Sequence, residues 1–132
     1  MTDAKYGITK SLGKVDFDEA IEKVTEALKG KGFGVLTEID VKATLKKKLD
    51  VDFRQYKILG ACNPPLAHQA LSAELLVGLL LPCNVVVFEE DDGTVTASAI
   101  NPVEMFKIVD RPEVAPLADQ VGAKLTQVFE AL

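Results

Sequence analysis

The chain of 132 residues is long enough for one domain over 1–132, and at this length about two-thirds of the unfolded surface can be buried without a metal or a disulfide to hold the core. A formal charge of −5 argues against docking on nucleic acid or an anionic membrane surface, since both need a clustered positive field. The N-terminal stretch MTDAKYGITK lacks the apolar centre of a secretory signal, and the longest apolar run, Leu75 to Pro82, is far short of the ~20 residues that span a bilayer. The expectation is a soluble, cytoplasmic protein with no membrane span and with both cysteines reduced.

In chain order, Tyr6, Ile8 and Leu12 with Thr9 and Lys10 between them predict a first strand over Lys5 to Leu12 with one solvated side. Asp16 and Glu19 have capping-box spacing, and Phe17, Ala20, Ile21, Val24, Ala27 and Leu28 recur at helical intervals until Gly30 and Gly32 stop the pattern. A second strand is expected over Phe33 to Ile39, with Phe33, Val35 and Ile39 inward provided no bulge intervenes. Asp40 then caps a short amphipathic helix from Val41 to Leu49. Lys46, Lys47 and Lys48 read as a solvated face at that helix's C-terminal end, where the macrodipole favours cations. The alternative is an anion-docking patch, which Asp50 and Asp52 weaken.

The centre of the chain, Tyr56 to Glu90, reads as strand, helix, strand. Tyr56 to Cys62 is a short apolar run, and Asn63 followed by Pro64 is a helix-start signal. Leu66 to Leu80 is apolar around most of its circumference, which predicts one long buried helix ended by Pro82. Val85 to Phe88, without alternation, predicts a central strand. Asp92-Gly93 is a tight-turn pair, so Thr94 to Ile100 is expected to return as its hairpin partner. Asn101-Pro102 is a second strand-end and helix-start signal. Val103 to Val109 is expected to be a single turn or a lid-like loop, and a last helix with Leu117, Val121, Leu125, Val128, Phe129 and Leu132 on one face closes the core.

The run LGACNPPLAHQAL followed by GLLLPCNVVVFEEDDG resembles the signature of the domain-of-unknown-function family 302, with the likeness extending from about Asp16 to the C-terminus. The resemblance implies a small α+β domain that is often dimeric, and it implies no reaction. Together with the element order it gives the expected fold class: α+β, a mixed sheet of about five strands with helices packed against it, and the Val85 to Phe88 strand central.

Two candidate sites follow. A strand, crossover helix and second strand ordinarily place the two strands parallel and right-handed. In that arrangement a helix of ~15 residues, ~22 Å long, would separate Cys62 from Cys83, far beyond the ~7 Å that a disulfide needs. Cys62, Asn63 and His68 would then share one edge with Glu89 to Asp92, where free N–H groups at the helix start favour negative charge and the acidic hairpin opposes it. Cys83 would share the other edge with Asn101, Met105 and Phe106. Most of these residues also have a plain structural reading: packed thiols for the cysteines, a hydrogen-bonded structural or interface histidine for His68, and a cap for Asn63. With one histidine, two cysteines and no C-x-x-C the chain falls short of the four ligands of a structural zinc site, so a metal would have to borrow Asp or Glu or bind between subunits; no metal site is expected and the sequence names no cofactor.

No Walker loop, G-x-S-x-G, H-E-x-x-H or dinucleotide fingerprint is present, and Gly30, Gly32 and Gly34 lie between helix and strand, the reverse of a phosphate loop. The leading reading is a small-ligand or sensory binding module using Cys62, Asn63, His68 and Glu89, or a pocket at Cys83, Met105 and Phe106. The alternatives are a thiol-dependent enzyme or sulfur carrier with Cys62 as nucleophile and His68 assisting, and a purely structural assembly domain. The apolar central and C-terminal helices predict a homodimer.

Overall fold

A computed structural model describes residues 2–132 of the chain. Five strands form one sheet in the order β1-β5-β4-β3-β2: β1 Gly7–Gly13, β2 Gly34–Asp40, β3 Tyr56–Cys62, β4 Cys83–Glu89 and β5 Val95–Ile100. The helices are α1 Phe17–Lys29, α2 Val41–Leu49, α3 Pro64–Ala73, the four-residue α4 Pro102–Met105 and α5 Ala115–Glu130. Class, strand number and the central place of β4 are as expected.

The sense of pairing is not. All four strand pairs are antiparallel, so the sheet is not mixed, and β3 and β4 are neighbours running in opposite directions. The reason lies at Glu74. The predicted long helix ends at Ala73, Glu74 takes an extended conformation (φ −147°, ψ 103°), and Leu75–Leu80 continues as a separate 3₁₀ segment. Glu74 also accepts from the Leu76 N–H at 3.4 Å and pairs with Arg111 at 2.8 Å. The broken connection returns the chain to the end of β3 from which it left, so β4 starts beside Cys62 rather than at the far edge.

Local signals explain most other boundaries. Asp16, Asp40, Asn63 and Asn101 each accept a backbone N–H in the first turn of the helix that follows, satisfying a donor that has no partner within the helix. Gly32, at φ +84°, turns the chain out of α1 into β2, and Gly93, at φ +85°, closes the β4–β5 hairpin; both angles are left-handed positions that a side chain disfavours.

The buried face of the sheet carries Leu59, Ala61, Cys83, Val85, Val87, Val95, Ala97 and Ala99, and packs against Val24 and Leu28 of α1, Leu66 and Ala70 of α3, and Leu125 and Val128 of α5 in one cluster. Val86 is only half-buried, so β4 is covered chiefly on the helix side. A bulge between Val35 and Thr37 shifts the β2 register, and the expected inward Ile39 is consequently exposed.

Candidate functional site

The β3–β4 register sets the geometry of the site. Ala61 lies directly across from Cys83, so Cys62 is one residue beyond the position facing Cys83. Both thiols are free, and both line one small cavity together with Asn63, Phe33, Leu66, Leu81, Pro82, Phe106, Leu117 and Val121. The separation expected from a straight helix and parallel strands is therefore corrected: the two cysteines belong to the same end of the same pair of strands.

The grouping with the acidic hairpin is corrected as well. Tyr56 pairs with Phe88 at the opposite end of the ladder, which puts Glu89 and Glu90 at the end of the sheet remote from Cys62. Glu90 there accepts from Thr2 N at 2.8 Å, Thr2 Oγ1 at 2.7 Å and Thr96 Oγ1 at 2.8 Å. The Thr2 bonds lead, with Thr96 adding, in holding its carboxyl below the usual range. Arg54 holds Asp91 at 2.8 Å.

The first turn of α3 offers no free backbone N–H to an anion at Cys62. Pro64 and Pro65 carry no N–H, the Leu66 N–H is taken by Asn63 Oδ1 at 3.2 Å, and the Ala67 N–H by Asn63 O at 2.9 Å. The expectation of unsatisfied N–H groups at this edge thus fails for a local reason visible in the two prolines.

Of the seven sequence candidates, the structure brings Cys62, Asn63, Cys83 and Phe106 to the cavity. His68 is exposed on α3 and does not line it; Glu89 is at the far end; Met105 packs partly buried against the core beside Phe106. The lining residues missed from sequence, including Phe33, Leu81, Leu117 and Val121, are ordinary core positions of their elements, and no local signal distinguishes them.

The cavity wall is almost entirely apolar, and its volume is about 30 Å³. Burial, with the neighbouring Cys62 adding to it, pushes the Cys83 thiol up to about 11. The Cys83 side therefore stays a neutral S–H at physiological pH. A wider groove of about 400 Å³ lies behind Phe106, between the Val103–Arg111 stretch and the start of α5. Its cations are committed elsewhere, Lys107 to Glu104 at 3.0 Å and Arg111 to Glu74 at 2.8 Å. The lysine run on α2 is likewise partly neutralised, with Lys46 holding Asp50 at 2.9 Å and Asp52 at 3.5 Å. Among the described residues no helix is long and apolar enough to cross a membrane, and no group of three or more His, Cys, Asp or Glu could hold a metal ion.

A five-stranded antiparallel sheet with α1, α3 and α5 packed on one face and a small thiol-lined cavity at the β3–β4 end defines an α+β protein. Residues 8–132 match the domain of unknown function DUF302, and the chain belongs to that family. It is also similar to an uncharacterized conserved DUF302 protein from Bacillus stearothermophilus known from its crystal structure, with 32% identity, a TM-score of 0.87, and coverage of 96% of this chain and 98% of that one. No curated protein matches the chain.

Proposed function

We propose that the protein is a small-ligand or sensory binding module whose site is the apolar cavity at the β3–β4 end. The observation that carries this reading is the convergence of Cys62, Asn63, Cys83 and Phe106, drawn from three separate stretches of chain, on one cavity. The wider groove behind Phe106 supports the reading less, because its two cations, Lys107 and Arg111, already have partners. Native mass spectrometry on protein purified without reductant or added metal tests it: a mass lost on denaturation supports a bound guest, and a bare particle under all conditions counts against one.

The thiol-dependent alternative draws on the two cysteines sharing that cavity. It draws nothing from His68, which is exposed and outside the lining. A cytoplasmic setting, where thiols stay reduced, suits either reading.

We also propose a homodimer formed through the outer surface of the 3₁₀ segment. Leu75 (79% exposed), Leu76, Leu79 (82%) and Ile108 (77%) make a contiguous apolar patch beside a groove that Val77, Leu80 and Val109 complete. The favoured occupant is a second copy of this chain. The patch is bordered by Glu74 and Arg111, which hold each other at 2.8 Å within the chain, so this face brings no unpaired charge against an identical copy of itself in a chain that is otherwise acidic.

A further inference from the structure

Cavity size decides what the thiol-lined site can hold. Its volume of about 30 Å³ exceeds the ~10–15 Å³ that one water-sized sphere needs but is far below the ~300–1,000 Å³ of metabolite pockets. A guest of one or two heavy atoms fits without moving the walls. The walls also set its polarity: Leu66, Leu81, Phe106 and Val121 give it no charge to pair with, the neighbouring helix turn has no backbone N–H to spare, and the Asn63 side chain is the one polar group among its lining residues besides the two thiols.

We propose that the guest is a single sulfane sulfur carried covalently by Cys62, its outer atom seated in this cavity beside Cys83. This rests on the binding reading above and names the ligand class. The donor class is a low-molecular-weight persulfide, R–S–SH. The Cys62 thiolate attacks the outer sulfur, a new S–S bond forms at Cys62, the S–S bond of the donor breaks, and R–S⁻ leaves with the electron pair. The products are Cys62–S–SH and R–S⁻, with no net oxidation.

The two cysteines differ in what they bring to this step. Cys62 is half-buried at the end of β3 and reachable by a donor, whereas Cys83 is 6% exposed. Burial and the adjacent Cys62 keep the Cys83 thiol protonated near neutrality, so it is not the nucleophile there. Its neutral S–H completes a soft, uncharged wall against which a second sulfur packs. An apolar wall also withholds water and competing thiolates from the carried atom.

The test is to incubate the full chain with glutathione persulfide, remove the donor, and follow intact mass and peptide maps over time. A gain of about 32 Da mapped to Cys62, retained in Cys83→Ala, absent in Cys62→Ala, and decaying about tenfold more slowly than the same group on an unfolded peptide, is expected. Peptide mapping of the unaltered chain keeps the assignment independent of whether either variant folds. A gain that maps to Cys83, or one on Cys62 that decays at the peptide rate, overturns the proposal. No gain, with a noncovalent guest still seen by native mass spectrometry, overturns the sulfur site and leaves the binding reading standing; no gain and no guest overturns both.

Discussion

Ala61 and Cys83 face each other across β3 and β4, and that one pairing brings two cysteines from opposite ends of a helical connection to the same cavity. Burial there has a thermodynamic consequence. The Cys83 thiol is raised from its ordinary value of 9.0 to about 11, so between those pH values the unfolded chain has released its proton while the folded chain still holds it. The stability contribution is fully present below about pH 9 and is lost as pH rises through about 11, a fall of about 2–3 kcal/mol at ~1.4 kcal/mol per unit. Urea unfolding at a series of pH values should show this decline. Cys83→Ala should flatten it, and an unchanged slope in that variant would assign the decline to other groups.

Gly60 sits where a side chain has no room. A β-carbon there would run into the Thr37 side chain across β2 and come within 2.8 Å of Pro82 Cγ. Gly60→Ala should therefore cost about 1–3 kcal/mol, the usual range for overpacking. Adding Thr37→Ala should recover part of it, since neighbouring sites couple. Strict additivity in the double variant would show that Pro82, not Thr37, sets the limit.

Thr96 is fully buried, and its hydroxyl donates to Glu90 at 2.8 Å. Glu90→Ala leaves that hydroxyl without an acceptor, which should destabilise the fold by about 1–3 kcal/mol. Thr96→Val in the same background should return part of the loss, because both partners of the bond are then removed. The lowered Glu90 carboxyl gives the sign of the acid response: its contribution is present above the ordinary carboxylate value and is lost as pH falls through the depressed one. Denaturation midpoints measured from neutral to acid pH for the parent and Glu90→Gln would check both points, the variant losing that part of the acid dependence.

The exposed leucines separate association from folding. Leu75→Lys with Leu79→Lys changes two side chains that are 79% and 82% exposed, so the stability of the isolated chain should move by no more than about 0.5 kcal/mol each. Light scattering on the eluting particle should nevertheless shift from two chains to one. A parent protein that is already monomeric at high concentration would remove the proposed interface.

Asn63 joins a helix cap to the cavity wall, accepting from Leu66 N at 3.2 Å. Asn63→Ala should cost about 1 kcal/mol of stability through the lost cap. Asn63→Asp, which keeps an acceptor, should restore most of it in a thermal or urea melt, and a failure to do so would show that the side chain's contact with the cavity matters more than the cap.

What the sequence by itself determined is everything with a short-range cause. Asp16, Asp40, Asn63 and Asn101 mark helix starts through bonds made within three residues, and Asp92-Gly93 closes a hairpin through its own backbone angles. The helical recurrence of Phe17 to Leu28 and the β-branched run at Val85 likewise announce their own elements and the core they build. The two prolines after Asn63 already say that this helix start has few donors, a legible signal that a general rule about helix ends had hidden.

The tertiary structure decided the sense of β3 against β4, and with it the site. Leu66 to Leu80 is apolar around most of a helical circumference, with Glu74 one of four polar residues in it, so nothing in its pattern marks Glu74 as a break. Glu74 is held in its extended conformation within a fold where its carboxylate meets Arg111, far along the chain. The bulge at Val35 to Thr37, which turns Ile39 outward, depends in the same way on the partner strand. A contact between distant residues leaves no periodicity in either segment, and only packing could place Cys62, Cys83 and Phe106 around one cavity.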